Sequence, residues 1–530
     1  TPAYFGLGIW NVYFIGKFAL AYTGYLRLDL LLNAAFFLFL LIPIRGKWLH
    51  RLHALIALVL GTALLWSESW LPGIDSILAN KSGITGFSVN YVVQLAWDFI
   101  NFRMVGWGFV ILLAYYLLRD FVRVTTITAL YLVFLIVQPF FTAPTAPVRA
   151  VPAVAADTPK TNEEILNLAN AATTTDAVVS AEEVDTWYKA FLDYEKDRVA
   201  QLPTGISAKD TPFDIIILNI CSLSNDDLAA TGLERHNVWS KFDVRFPGFS
   251  SATSSSGPAT LRLLTAACGQ PPHSALYGER RPQCELLNRF AAAGWENRLY
   301  LDHNGRFDNY LASLRELAGL TPALNDLTKL HVRYEAFDGS PVYDDADVFN
   351  QWFSDLSARP ASRTVSLFNL VALHDGNRSP GSAKSFDYAP LAKSLLDDLE
   401  GIMNRIEKSG RPVLFIVVPE HGAAVRGDKI QMARLREIPS PKITNVPVLV
   451  KFFGLKLEGA PRTIEAPTSY LALAELMART ATSGVYRNRE ADASAAVDAI
   501  LMGLPQTWPV SQNANASVVR FAGVHWVRLH

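Results

Sequence analysis

Two short stretches carry residue types that could hold a metal ion. Glu420-His421 follows the apolar run at residues 413–418 after one proline, and Cys221 directly follows the apolar run at residues 213–220. Thiolate, carboxylate and imidazole are ligands that zinc accepts in proteins. Because open α/β sheets place their chemistry at the carboxyl ends of strands, these side chains are predicted to meet at one edge of a sheet. By itself, an acid-His-Gly turn is also compatible with a capped turn that holds a satisfied histidine.

A serine-rich loop supplies the candidate nucleophile. Ser254, Ser255 and Ser256 precede Gly257-Pro258 and a periodic apolar segment. This pattern is typical of a helix with proline in its first turn. We expect Ser256 to be the nucleophile and the fourth zinc ligand, because free N–H groups at a helix N-terminus stabilise a phosphoryl group. A serine-rich loop alone is also typical of caps and flexible turns.

Four further residues are candidates for proton transfer or substrate contact. His374 follows the strand-like run at 364–370 and is the candidate general acid or base. A loop histidine bonded to the backbone is the alternative interpretation. Arg436, His303 and Tyr277 are weaker candidates for phosphate or acceptor contact, where arginine suits bidentate phosphate binding. Each of these three is also compatible with a surface or structural role.

The motifs occur in an order that resembles a known family. The chain contains NICSLS around Cys221, SGPAT then LRLL and ACGQ from Ser256, LHDGN around His374 and PEHG around Glu420. This order is similar to that of the alkaline-phosphatase-like phosphoethanolamine transferases, and within them to the branch that modifies cellulose in bacterial cellulose-secretion systems. The lipid A modifying branch has a carboxylate at Cys221, a threonine at Ser256 and an aspartate at Glu420. These departures favour the cellulose branch, and the resemblance covers the membrane region and nearly all of the soluble part.

The resemblance implies a zinc-dependent enzyme of the bacterial inner membrane with a periplasmic catalytic domain. A covalent Ser256 intermediate would carry phosphoethanolamine from phosphatidylethanolamine to glucose C6 hydroxyls of nascent cellulose, with His374 moving protons. The implied partners are subunits of the bacterial cellulose synthase complex, and the implied setting is the biofilm. Two alternatives stay open: a phosphoethanolamine transferase or hydrolase with lipid A or a periplasmic glucan as acceptor, and a non-catalytic scaffold of a polysaccharide-secretion complex.

Hydropathy divides the 530-residue chain into an apolar first part, residues 1–142, and an ordinary remainder. Five apolar runs, each near the length that crosses a bilayer, predict five membrane helices at 4–25, 28–44, 53–71, 104–118 and 125–141. Basic residues at 45–51 and 119–123 place these two loops in the cytoplasm and everything after Phe141 outside. No signal-peptide cleavage site follows the first run, so we expect an anchor. Residues 90–102 are predicted to form an interfacial helix, and a net charge of −1 does not indicate nucleic acid.

The remainder predicts a linker and an α/β domain. Residues 143–211 are rich in Ala, Pro, Thr and acid, and contain an amphipathic helix at 181–199 that docks on either the membrane part or the catalytic domain. In the catalytic domain, residues 212–530, strand-like runs at 213–220, 298–301, 364–370, 413–418 and 448–453 alternate with helical patterns at 284–293, 309–317, 344–357 and 388–409. This alternation predicts a mainly parallel sheet with helices on both faces, which suits the alkaline-phosphatase-like fold that the resemblance implies.

The three cysteines divide into a pair and a single residue. Cys268 and Cys284 lie sixteen positions apart, flank a Pro-containing turn, and suit a local disulfide in an oxidising compartment. Cys221 would then be an unpaired thiol in the periplasm, which metal ligation explains. Three buried reduced cysteines are the alternative.

Overall fold

The computed structural model describes residues 6–22, 26, 28–44, 46–68, 102–141, 181–205, 212–358, 363–382, 384–428, 431, 433–487, 493–521 and 524–529. These residues separate into two compact units. One contains the five N-terminal helices, and the other contains the chain from residue 181 onward apart from residues 428–432. The domain boundaries at 142 and 211 stay predictions.

The N-terminal unit consists of helices at the five apolar runs. They span Trp10–Tyr22, Leu30–Leu40, Lys47–Glu68, Phe102–Leu118 and Val124–Phe141. Phe14 and Phe36 pack in the centre of this unit, whereas large apolar side chains such as Leu113 and Phe134 lie on its exterior. Within the described residues, one helix, Lys47–Glu68, combines the length and the apolar composition that a membrane crossing requires. The interfacial helix predicted at 90–102 falls, except for its last residue, outside the described part.

A seven-stranded sheet forms the centre of the second unit, as far as the structure describes it. The strands in chain order are β1 (Asp214–Ile220), β2 (Val244–Phe246), β3 (Glu296–Leu301), β4 (Val332–Glu335), β5 (Pro341–Tyr343), β6 (Thr364–Leu370), β7 (Val413–Val417), β8 (Val448–Phe453), β9 (Arg462–Thr463), β10 (Val510–Gln512), β11 (Ala516–Phe521) and β12 (Val524–Leu529). The sheet order is β3-β6-β1-β7-β8-β2-β9, and β8 is antiparallel to both neighbours while the other pairs are parallel. The predicted mainly parallel sheet is confirmed. Strands β4 and β5 form a two-stranded sheet, and β10 to β12 a three-stranded one.

Helices cover both faces of the large sheet. The helices of the second unit, which include the peripheral first one, span Ala181–Lys196, Asn225–Thr231, Ser256–Leu264, Leu286–Ala292, Tyr310–Ala318, Asp345–Ser357, Tyr388–Ser409, Pro441–Thr444, Tyr470–Ser483 and Ala493–Leu501. Strand side chains alternate between faces, so Ile215 of β1 packs with the helix Ser256–Leu264 and Ile216 packs with the helix Tyr388–Ser409. This two-faced burial explains why β1 is apolar along nearly its whole length. The predicted α/β class is therefore confirmed.

An aromatic cluster and a disulfide stabilise the periphery of the second unit. Trp187 and Phe191 of the helix Ala181–Lys196 pack in one cluster with Trp508, and the two tryptophan ring centroids lie 6.0 Å apart. The sequence left open whether this helix docks on the membrane part or on the catalytic domain, and the structure shows it packed on the catalytic unit. Cys268 and Cys284 form the predicted disulfide, with 5.0 Å between their Cα atoms.

Candidate metal and nucleophile site

The carboxyl ends of two adjacent strands bring the predicted ligands together. β1 is an interior strand of the sheet and pairs in parallel with β6 on one side and β7 on the other. The Glu420 N–H donates to Ile220 O (2.8 Å), and the Cys221 N–H donates to Leu370 O (2.9 Å). These bonds continue the ladder beyond the strands. They hold Cys221 and Glu420-His421 at one edge of the sheet, as the sequence predicts.

Four donor atoms converge at this edge. Ser256 Oγ lies 3.1 Å from His421 Nε2 and 3.4 Å from Cys221 Sγ. The Sγ atom is 4.0 Å from Nε2, which is 3.8 Å from Glu420 Oε2. Zinc bonds of about 2.0–2.3 Å in a tetrahedral arrangement place ligand atoms roughly 3.3–3.7 Å apart. The spacing of the four side chains therefore fits one zinc ion.

Hydrogen bonds leave one available ligand atom on each of two side chains. His421 Nδ1 lies 2.9 Å from Gly422 O and donates to it, so Nε2 carries the lone pair. Glu420 Oε1 accepts from Asn369 Nδ2 and from Thr260 Oγ1 (3.1 Å). Glu420 Oε2 is buried and, among the described residues, has no hydrogen-bond partner. Such an orphaned carboxylate oxygen is costly, and a cation between the four donor atoms would satisfy it.

The electrostatics of the site also favour a cation. Burial, reinforced by the Glu420 charge, raises the pKa of the Cys221 thiol to about 12. Burial likewise raises the pKa of Glu420, and together with the Arg436 charge it lowers the pKa of His421 well below its usual value. A divalent ion would offset the free energy cost of burying the charged thiolate and carboxylate. Both groups would therefore lose their protons when the ion binds. The sulfur, nitrogen and oxygen donor set is one that zinc prefers.

The helix Ser256–Leu264 begins at the candidate nucleophile. Ser256 is its first residue, and its N-cap Ser255 is exposed and makes no side-chain capping bond. In the first turn, the N–H groups of Ser256 and Gly257 have no intrahelical acceptor, Pro258 has no N–H, and the Ala259 N–H donates to Ser255 O (3.1 Å). Ser254 Oγ is instead bonded to the carbonyl of Arg436. Of the three loop serines, Ser256 is the one whose Oγ contacts the ligand atoms.

Arg436 contacts the candidate ligand His421, and His374 is near enough for its charge to lower the pKa of His421. Arg436 Nη1 donates to Ser222 Oγ (3.2 Å) and lies 3.3 Å from His421 Nδ1. His374 Nδ1 donates to Asp375 O (2.9 Å), which leaves Nε2 as the proton acceptor. Burial and then the Arg436 charge lower the pKa of His374 to about 4, so its ring is neutral at physiological pH.

His303 and Tyr277 are placed differently. His303 Nδ1 accepts from Gly305 N (3.1 Å), and Nε2 donates to Asn369 Oδ1 (3.0 Å), so both ring nitrogens are engaged. His303 thereby orients Asn369, a role that the sequence did not indicate. Tyr277 is half exposed, and its ring lies beside His273 at 5.4 Å. Within the described residues, no hydrogen bond or ring contact joins Tyr277 to the four candidate ligands.

Four polar residues that hold Glu420 in place were not predicted from the sequence. Asn219 on β1 and Asn369 on β6 are opposite each other in register, and Asn369 Nδ2 donates to Asn219 Oδ1 (3.1 Å). Thr260 Oγ1 and Tyr310 OH lie 3.1 Å and 3.5 Å from Glu420 Oε1. The available signal was an asparagine near the end of each of two apolar strands, IIILNI and SLFNL. A buried polar side chain in such a run needs a partner.

Comparison with known proteins gives two family matches. The model described as the cellulose biosynthesis protein BcsG C-terminal domain matches residues 168–530, and that of the BcsG N-terminal domain matches residues 10–137. The cellulose biosynthesis protein BcsG of Salmonella typhimurium is 41% identical over 99% of this chain and 95% of that protein. BcsG of Escherichia coli is 40% identical over the same shares. Among solved structures, a Vibrio parahaemolyticus protein of the alkaline phosphatase superfamily aligns with a TM-score of 0.44 and 14% identity, over 69% of this chain and 88% of that one.

Proposed function

Because the chain belongs to the BcsG family of cellulose biosynthesis proteins, we propose that it is a zinc-dependent phosphoethanolamine transferase that modifies nascent cellulose. The donor is phosphatidylethanolamine, and the acceptor is the C6 hydroxyl of a glucose unit. The observation that carries this proposal is the position of Ser256 Oγ, within 3.1 Å of His421 Nε2 and 3.4 Å of Cys221 Sγ at a helix N-terminus. A serine that only caps a helix needs neither of these neighbours.

Four residues of the chain would hold the zinc ion: Cys221, Ser256, Glu420 and His421. When bound, zinc would lower the pKa of the Ser256 hydroxyl and offset negative charge on the phosphoryl group. Hydrogen bonds around the site orient the side chains of His421 and Glu420 for zinc binding. The Gly422 carbonyl fixes the His421 ring, and the donors around Glu420 Oε1 leave Oε2 available.

Transfer takes place in two displacement steps. Ser256 Oγ attacks the phosphorus of phosphatidylethanolamine, the bond from phosphorus to the glycerol oxygen breaks, and diacylglycerol leaves with a proton. The phosphoethanolamine group is then bonded to Ser256. In the second step the glucose C6 hydroxyl loses its proton and attacks the same phosphorus. The bond to Ser256 Oγ breaks, and this oxygen regains a proton.

His374 and Arg436 supply proton transfer and positive charge. His374 Nε2 accepts the proton of the incoming C6 hydroxyl, since Nδ1 donates to Asp375 O and the low pKa keeps the ring neutral. Arg436 lies against His421, and its guanidinium would bind the non-bridging phosphoryl oxygens. The N–H groups of Ser256 and Gly257, at the start of the helix Ser256–Leu264, are available to the same oxygens.

We place the catalytic unit, residues 212–530, in the periplasm, tethered through the linker 143–211 to a five-span anchor in the bacterial inner membrane. Five helices coincide with the five apolar runs, and their exterior is apolar. The basic loops at 45–51 and 119–123 support this orientation, and the Cys268–Cys284 disulfide suits an oxidising compartment. The anchor would give access to the donor lipid and to subunits of the cellulose synthase complex.

The test is headgroup transfer by the full chain in nanodiscs that contain headgroup-labelled phosphatidylethanolamine, with zinc and cello-oligosaccharides added. We expect labelled oligosaccharide from the wild type and none from Ser256→Ala. The matched control is Ser255→Ala, which changes the exposed neighbouring serine and should keep the rate within about twofold. Transfer that survives in Ser256→Ala would refute this nucleophile.

Parallel reactions separate the alternatives. Lipid A and a periplasmic glucan are offered as acceptors under the same conditions. Label on one of these but not on cello-oligosaccharide would support the transferase reaction but show that the proposed acceptor is wrong. A chain that binds no zinc and transfers no label to any acceptor, or to water, would contradict the enzyme and favour a scaffold.

A further inference from the structure

Arg262 is a buried cation on the helix that begins at Ser256. It is only 3% exposed, and Nη1 donates to Pro271 O (2.8 Å). Its Nε and Nη2 are buried and, among the described residues, have no hydrogen-bond partner. A guanidinium normally uses its planar set of donors together. Most of this set is therefore unused within the described protein.

No carboxylate of the described residues compensates the charge of Arg262. The groups that act on its pKa are the phenols Tyr470, Tyr188 and Tyr277, and burial lowers this pKa only to about 10. The side chain is therefore a cation at neutral pH. A buried charge without a partner is strongly unfavourable. The described chain therefore supplies no counter-charge for this guanidinium.

A small cavity adjoins the guanidinium. Its volume is about 10 Å³, close to the least room that one water-sized occupant needs. Besides Arg262, its lining includes Gln270 and Tyr470. The Tyr470 hydroxyl is buried and also lacks a hydrogen-bond partner within the described part, so it is a further available donor.

We propose that this cavity binds one small monovalent anion of the chloride type, held by Arg262 Nε–H and Nη2–H and by the Tyr470 hydroxyl. The anion would join the helix Ser256–Leu264 to the segment at Pro271 and to the helix Tyr470–Ser483. Arg262 lies six residues after Ser256, which is about 9 Å along the helix axis. The site therefore stabilises the helix Ser256–Leu264 but does not provide a metal ligand. A water molecule is the rival occupant, because it would also serve the unpartnered Gln270 Oε1.

Thermal unfolding of the full chain in detergent tests the proposal, with gluconate replaced by chloride or bromide at constant ionic strength. We expect the wild-type midpoint to rise by about 2 °C or more between 1 and 100 mM halide. Arg262→Met should abolish this rise. Arg315→Met, which removes an exposed arginine from another helix, should retain it and controls for net charge.

Tyr470→Phe keeps the test decisive if Arg262→Met fails to fold. It retains the charge and the ring but removes one donor, so the halide concentration for half of the effect should increase several-fold. A wild-type midpoint that does not respond to halide would mean that water fills the cavity, and would overturn the proposal. A response that is identical in the wild type and both cavity variants would overturn it as well.

Discussion

Replacing Asn369 with alanine should weaken zinc binding although no ligand is removed. Asn369 Nδ2 donates to Glu420 Oε1, and its Oδ1 accepts from His303 Nε2. In the variant, Oε1 retains Thr260 at 3.1 Å and the longer contact to Tyr310 at 3.5 Å. The carboxylate is then less well oriented, so Oε2 is less often directed at the ion.

The size of the loss in zinc affinity follows from the hydrogen bond that the substitution removes. A hydrogen bond to a charged acceptor contributes about 1.5–3 kcal/mol. Since about 1.4 kcal/mol is a factor of ten, zinc affinity should fall about 10- to 100-fold, which is the usual range for residues that orient a ligand. Asn369 also bonds to Asn219 in a buried network, so the free energy of unfolding should fall by about 1–3 kcal/mol as well.

The matched control is Asn297→Ala. Asn297 Nδ2 donates to Leu287 O (2.9 Å) near the amino end of β3, at the opposite edge of the sheet from the ligands. Zinc affinity is measured by chelator competition on each full-length variant, beside thermal unfolding of the metal-free protein. Asn297→Ala should bind zinc as the wild type does. Unchanged zinc affinity in a folded Asn369→Ala protein would refute the orienting role of Asn369.

Four further predictions address catalysis and stability. His374→Gln should slow transfer from Ser256 to the acceptor by about 10²- to 10⁴-fold while labelled enzyme still accumulates; equal loss of both steps would contradict its role as the second-step base. In the wild type, the second-step rate should fall as the pH drops toward the His374 pKa of about 4, because the ring must be neutral. Burial raises the pKa values of the paired carboxyls Asp302 and Asp345, so the folded state keeps protons that the unfolded state has released. The free energy of unfolding should therefore decrease as the pH rises above about 4, the ordinary carboxyl pKa. Replacing both residues with asparagine should flatten this dependence in denaturant unfolding, and an unchanged slope would contradict it. Removing the Cys268–Cys284 disulfide with two serines should cost about 3 kcal/mol of unfolding free energy, read from the denaturant midpoint; a variant as stable as the wild type would contradict it.

The convergence of the candidate ligands was predictable because local patterns mark where each of them lies. Cys221 and Glu420 each follow an apolar strand, and Ser256 precedes a Gly-Pro pair at the start of a helix. Parallel strands bring their carboxyl ends to one edge, so markers far apart in the chain meet in the fold. The boundaries of the long elements follow from the same patterns, since β6, β8 and the helix Tyr388–Ser409 begin and end where expected.

The residues that orient Glu420 were not predictable in this way. The contact between Asn219 and Asn369 joins residues 150 positions apart and depends on the β1–β6 register, which no local pattern encodes. β2 and β9 have three and two residues, too few to show a period. The helix Tyr470–Ser483 is buried around most of its circumference, so its sequence lacks the polar face that marks an amphipathic helix.

The central claim is that Ser256 carries the phosphoethanolamine group between donor and acceptor. Tandem mass spectrometry tests it most directly, on peptides of the full chain quenched after incubation with zinc and phosphatidylethanolamine without an acceptor. We predict one phosphoethanolamine group located on Ser256, which disappears when cello-oligosaccharide is added. A group located on another residue, or an unmodified Ser256 in zinc-loaded protein that still transfers the headgroup, would contradict the account.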